Sequence, residues 1–252
     1  MTDITDPVTD IPRLDRAGYA RLAATEYARM LDTLRGLTPG DWPRPTDCAA
    51  WDVRALAGHV LGGTELVCTL REFVHQLRAG SAAARGRPTV DGMTEVQVRE
   101  RAPLGTDELI DRFGLAGPRA ARVRARLPRP FRWIPMTARV GDVDEKWRLG
   151  YLFDIILTRD TWMHRVDLCR ATDTPMTLTG DHDGRIVADV VREWAGRHGR
   201  PFAVELTGPA GGVFASPTAC SESISMDAVE FCRVLSGRGR AGTGLLARPV
   251  PF

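Results

Sequence analysis

The chain has 252 residues, 43% hydrophobic and 26% charged, with a formal net charge of +2. That balance describes a folded globular protein with room for one large or two small domains, and it excludes a chain disordered throughout. Near-neutral charge without aromatic interleaving or a recognition motif argues against a nucleic-acid partner, and no run approaches the ~20 apolar residues of a membrane span.

The opening, Met1 to Pro12, is polar and lacks the apolar core of a signal peptide, so a cytoplasmic protein is expected. Asp15 to about Leu37 carries Leu22, Tyr27, Met30, Leu31 and Leu34 at helical spacing and closes at Thr38-Pro39-Gly40, the first helix of a bundle. A loop with Pro43, Pro45 and Cys48 leads into a helix entered at Trp51 and running to about Leu77, followed by a Gly/Ala/Arg-rich surface connection over 79–87. Helical material then covers about Thr94–Glu100 and Thr106–Arg126, with Pro118 kinking or dividing the second stretch, before a passage rich in proline at 128, 130 and 135. A long helix is expected over about 143–171. After Thr172 the texture changes to a connection, a helix over Asp181–His198, and strand-like runs at Phe202–Leu206, Gly212–Ala215 and Ser223–Met226. A helix over Asp227–Leu235 and an apolar extended tail complete the chain. The division expected is a helical bundle over 1–175 and a small α+β domain over 176–252.

Cys48, Cys68, Cys169, Cys220 and Cys232 form no C-x-x-C pair and are odd in number, which points to reduced, buried thiols and not to a disulfide framework. Lys146 is the single lysine. Arginines cluster at 119, 122, 124, 126, 129 and 132, read as a solvated helix face, with an anion-binding strip as the alternative. His75, His182 and His198 sit near helix ends, where exposure or capping explains them.

Two other histidines stand out. The apolar stripe Leu149, Leu152, Phe153 and Ile156 continues at steps of three and four into Asp160, His164 and Asp167, so polar groups follow a core-facing line. Asp160 and His164 are one helical turn apart on one face. A second line, Leu56, His59, Gly63, Leu66, Leu70 and Phe73, turns His59 inward as well. Burying a polar group without a partner costs about 2–7 kcal/mol, so something inside must satisfy these groups. A divalent metal held by His59, Asp160 and His164 from two facing helices does so, and leaves a coordination position open for water or substrate, as catalytic zinc sites do. Each residue taken alone has a plainer reading: His59 as a satisfied core histidine, Asp160 with His164 as a helical ion pair.

Trp51-x-Val-Arg-x-Leu-x-x-His59, Thr158-Arg-Asp-Thr-Trp-Met-His-Arg-Val-Asp167 and the terminal Gly244-Leu-Leu with Val250-Pro-Phe occur together here, and by them the chain resembles the mycothiol-dependent maleylpyruvate isomerase family over nearly its whole length. The resemblance implies a DinB-like four-helix bundle that holds a divalent metal, followed by a small C-terminal α/β domain. It implies the ligand triad His59, Asp160 and His164, with zinc first among the candidate metals, and Asp167 as the acceptor that orients His164. The family's first enzymes carry Glu where this chain has Asp160, and the shorter side chain alters metal distance, preference or affinity.

The chemistry implied is that of a thiol. Mycothiol, the sugar-linked cysteine thiol of actinobacteria, would bind near the metal as thiolate, the nucleophilic form, and add to a conjugated double bond of a small electrophile. Rotation and elimination give isomerisation; stopping after addition gives an S-transferase. Arg238, in Leu235-Ser-Gly-Arg238, matches an arginine position of the family and suits a substrate carboxylate; its plainer reading is an exposed turn arginine beside Gly237 and Gly239. Two other functions stay open: a non-catalytic binding protein on the same scaffold, and a metal-dependent enzyme that uses no thiol.

Overall fold

The computed structural model describes residues 6–218, 223–240 and 242–252. Cys220 lies outside the described residues. The chain divides into two compact units, one of residues 15–175 and the other of residues 1–14 with 176–252.

In the larger unit, α1 (Arg16–Arg35) starts where Asp15 accepts the N–H of Gly18, and α2 (Val53–Leu66) where Asp52 accepts the N–H of Ala55. The helices α3 (Leu70–Ala84), α4 (Thr89–Arg101) and α5 (Thr106–Arg126) follow, then the short α6 (Arg129–Arg132). A hairpin of β2 (Pro135–Val140) and β3 (Val143–Arg148) leads to one helical turn, α7 (Leu149–Tyr151), a π-helical turn over Leu152–Ile156, and α8 (Leu157–Thr172). The bundle is α1, α2, α5 and α8: α1 packs on α5 and α8, α2 on the same two, and the α3–α4 pair lies against α2 through α4. Its core joins Tyr27, Met30 and Leu34 to Val53, Leu56, Val60, Phe113, Phe153 and Leu168.

Several sequence-based boundaries are corrected. The helix that starts after Trp51 does not reach Leu77; it stops at Leu66, and α3 begins anew where the Thr69 hydroxyl accepts the N–H of Glu72. Leu70, expected on the apolar line, is 69% exposed. The stretch 79–87 is not a surface connection, because α3 continues to Ala84 and buries Gly80 and Ala84. A Cβ on Gly92 would lie 2.0 Å from the carbonyl oxygen of Gly80, so the two helices meet backbone to backbone. Pro118 lies inside an undivided α5. The expected helix over 143–171 is a strand up to Arg148 and helix after it.

Arg124 turns inward instead of lying on a solvated face, donating to the Tyr27 hydroxyl at 3.0 Å and the Asp154 carbonyl at 3.2 Å. Arg165, buried on α8, forms a two-pronged pair with the buried Glu26 of α1 at 2.7 and 3.0 Å.

In the smaller unit, β1 (Asp6–Pro7) runs parallel to β5 (Gly212–Ala215), which is antiparallel to β4 (Ala203–Thr207), and β4 is parallel to β6 (Ser223–Asp227). The sheet order is β1-β5-β4-β6. That pairing, with the Ile11 and Pro12 carbonyls accepting from Arg192, groups the N-terminal residues with 176–252 and not with the bundle sequence that follows them. A π-helical turn over Gly180–Gly184 opens α9 (Arg185–His198), and α10 (Ala228–Leu235) is capped by Asp227, which accepts from Val229 and Glu230. Trp194, Phe202 and Phe231 pack edge to face in its core. His182 is buried, not exposed, and His198, the last residue of α9, accepts the N–H of Arg200 at its Nδ1 while Gly199 caps the helix.

Among the described residues, no helix is long and apolar enough to cross a membrane.

Candidate metal centre

His59 lies in the second turn of α2, Asp160 in the first turn of α8 and His164 one turn further on. α2 and α8 pack against each other, so the two helices bring these side chains to one place. Nε2 of His59 is 3.5 Å from Oδ1 of Asp160, and Nε2 of His164 is 3.4 Å from the same oxygen. One ligand atom from each of the three residues lies within 4.8 Å of the others. Both imidazoles are buried, and the Asp160 side chain keeps 23% exposure, so the cluster is reached from the carboxylate side. The π-helical turn just before α8 belongs to the same helix, and such turns recur beside functional residues because they re-aim the helix that follows.

The outer nitrogens of both rings are engaged. Nδ1 of His164 is 3.0 Å from Oδ2 of the buried Asp167, and the Cys48 thiol donates to that same oxygen at 3.7 Å. Nδ1 of His59 is 2.8 Å from Oε1 of the buried Gln97 on α4. With each Nδ1 beside a side-chain oxygen, both Nε2 atoms are directed at the space beside Asp160, the arrangement in which metal-bound histidines are held. The donor set of two imidazoles and one carboxylate fits a divalent cation. The indole of Trp51 covers both rings, at 4.9 Å from His59 and 6.1 Å from His164.

Charge supports the same picture. Burial would push the Asp160 carboxyl up, but the His164 and His59 rings outweigh it and hold the group far below the usual carboxylate range. Burial opposes protonation of His164; Asp160 first, and then hydrogen bonds with Asp160, Asp167 and Cys48, raise its pKa well above the ordinary value. An anionic carboxylate between two imidazoles is an arrangement that a divalent cation can join by displacing ring protons.

His59, Asp160, His164 and Asp167 are thus brought together. Arg238 belongs to the other unit, half-buried in the turn after α10, its N–H donating to the Arg233 carbonyl at 2.8 Å between Gly237 and Gly239, both of positive φ. Gln97 and Cys48 are site neighbours that the sequence reading did not place. Gln97 sits between Val96 and Val98 on a helix whose apolar pattern is weak, and a glutamine there reads as solvent-facing.

The family model described as mycothiol maleylpyruvate isomerase N-terminal domain matches residues 23–169. A crystal structure of the mycothiol-dependent maleylpyruvate isomerase shares the fold, with a TM-score of 0.57 at 16% identity and 94% of each chain covered. So does a crystal structure of a histidine-to-alanine mutant of mycothiol-dependent maleylpyruvate isomerase, with a TM-score of 0.58 at 15% identity and the same 94% coverage of each chain. No curated protein sequence matches. The chain belongs to the family of the mycothiol maleylpyruvate isomerase N-terminal domain.

Proposed function

We propose that the protein is a metal-dependent enzyme that uses mycothiol in isomerisation of, or thiol addition to, a small electrophilic substrate, with a divalent metal, zinc by preference, held by His59, Asp160 and His164. The observation that carries this reading is the convergence of the two Nε2 atoms on Asp160 Oδ1, at 3.5 and 3.4 Å, in a chain of this family. When bound, a divalent cation favours the thiolate form of a thiol beside it. His59 and His164 present unprotonated Nε2 atoms, Asp160 supplies the charge, and Asp167 retains the proton on His164 Nδ1. Trp51 keeps water from the ring faces. Arg238 is the proposed contact for a substrate carboxylate, for which a guanidinium offers two parallel donors.

Elemental analysis of protein purified without chelators or a metal-affinity column tests the site. About one divalent metal per chain, lost in Asp160→Ala, is expected. Turnover of an electrophile such as maleylpyruvate with mycothiol, and none without it, is the expected result for the thiol chemistry. A folded wild-type protein that takes up no metal would refute the reading, and metal-dependent turnover without mycothiol would remove the thiol from it.

A further inference from the structure

The His59 end of the site continues into a hydrogen-bonded chain whose direction is fixed from its far end. A backbone carbonyl can only accept, so the Gln76 amide nitrogen is the group facing the Gly62 oxygen, at 2.9 Å. The same nitrogen donates to Oε1 of Glu72 at 2.8 Å, and that carboxylate oxygen also accepts from Arg101 at 3.2 Å. Gln76 therefore turns its carbonyl oxygen to Gln97, whose amide nitrogen donates to it at 2.8 Å. The Gln97 oxygen is left to face Nδ1 of His59 at 2.8 Å, where it can only accept. Both glutamines are buried, so neither amide has solvent as an alternative partner.

We propose that Gln97, oriented by Gln76, is a positioning residue that keeps the His59 proton on Nδ1 and so presents the Nε2 lone pair to the metal, an inference that rests on the metal reading above. Asp160 competes with it, since a carboxylate 3.5 Å from Nε2 favours a proton there. The relay opposes that preference because an inverted Gln97 would set its amide nitrogen against Nδ1 and its oxygen against the Gln76 oxygen.

The polarity of the chain makes the test selective. Zinc affinity is read by competition with a chromophoric chelator. Gln97→Leu removes the acceptor and is expected to bind zinc about 10–100-fold more weakly, the range for losing a group that orients a metal-bound histidine. Gln76→Leu touches no ligand, yet it frees Gln97 to invert and is expected to weaken zinc binding as well. The double variant Gln76→Leu with Gln97→Glu is expected to recover affinity, because a carboxylate can only accept whatever its neighbour does. A merely structural role for the glutamines would not produce that recovery. Unchanged affinity in Gln76→Leu, or a double variant as weak as Gln97→Leu, would overturn the proposal, with thermal unfolding of the metal-free proteins confirming that each variant is folded.

A second readout needs no metal. Nitrogen NMR of the His59 ring, at a pH where it is neutral, is expected to show the proton on Nδ1 in the wild type and the double variant, and on Nε2 in Gln76→Leu. A wild-type ring protonated on Nε2 would sink the relay. Failure of the wild type to bind zinc would instead sink the metal reading while leaving the ring assignment measurable.

Discussion

Nδ1 of His164 lies 3.0 Å from Oδ2 of Asp167, one turn below it on α8, and that carboxylate is fully buried. The pair gives the helix one residue that faces the open cluster and another, three positions on, that holds the first in place.

Asp167→Asn should separate orientation from charge. The amide keeps the shape of the side chain and one acceptor oxygen but loses the negative charge that makes the ring a stronger ligand. Zinc affinity is expected to fall about 10–100-fold with the fold retained, measured by chelator competition. Asp167→Ala leaves the buried ring nitrogen short of an acceptor and should add about 1–3 kcal/mol of destabilisation in urea unfolding.

The buried pair of Arg165 and Glu26 predicts a stability effect at a distance from the cluster. Each guanidinium prong meets one carboxylate oxygen, at 2.7 and 3.0 Å, and both side chains are almost without exposure. Glu26→Ala removes one half and should cost about 3–5 kcal/mol, read as a lower urea midpoint with an unchanged slope. Replacing both residues with apolar ones of similar volume should cost less than removing either alone, since neither of the two is then left buried without the other.

Much of the candidate site was legible because helical periodicity is strict. Leu149, Phe153 and Ile156 are buried, and the same face carries Asp160, His164 and Asp167 onward. The line through His59 held as far as Leu66 and failed at Leu70, since periodicity cannot register a chain that stops and restarts within three residues at Thr69. The hairpin over 135–148 was hidden for another reason. Met136, Ala138 and Val140 do alternate with polar residues on β2, but the run starts at a proline, and β3 has polar or exposed residues on both faces, from Asp144 and Lys146 to Glu145, so it shows no apolar face of its own. Gln97 and Gln76 were illegible because a glutamine looks solvent-facing until a partner is known, and each is the other's partner.

Cys68 offers a prediction from pH. Burial, opposed in part by Arg119, pushes its thiol up from 9.0 to about 11, and its Sγ donates to the Thr64 and Ala116 carbonyls. The folded pKa exceeds the ordinary one, so the associated stability is present below about 9 and declines as pH rises toward 11. Alkylation of Cys68 by iodoacetamide, followed by mass spectrometry, should therefore be slow at neutral pH and rise with a midpoint near 11. A midpoint near that of free cysteine would show the thiol to be solvated.

Gly62 ties backbone packing to the chemistry of the cluster. It lies on α2 one turn after His59, its carbonyl sets the direction of Gln76, and a Cβ placed on it would come within 2.6 Å of both Cβ and Cγ of Gln97. Such a contact cannot be absorbed without moving the side chain or the helix that bears it, because Gln97 is buried between α2 and α3 neighbours. Gly62→Ala gains about 1 kcal/mol of helix propensity and meets an overpacking cost of about 1–3 kcal/mol, so net destabilisation is expected to be small. The effect on zinc should be larger in proportion, because displacing Gln97 by even a fraction of an ångström lengthens its 2.8 Å hydrogen bond to His59. Chelator competition and urea unfolding on the same variant distinguish the two effects: a metal affinity that falls while the unfolding midpoint hardly moves assigns Gly62 to the support of His59, whereas parallel losses would make it a packing residue alone.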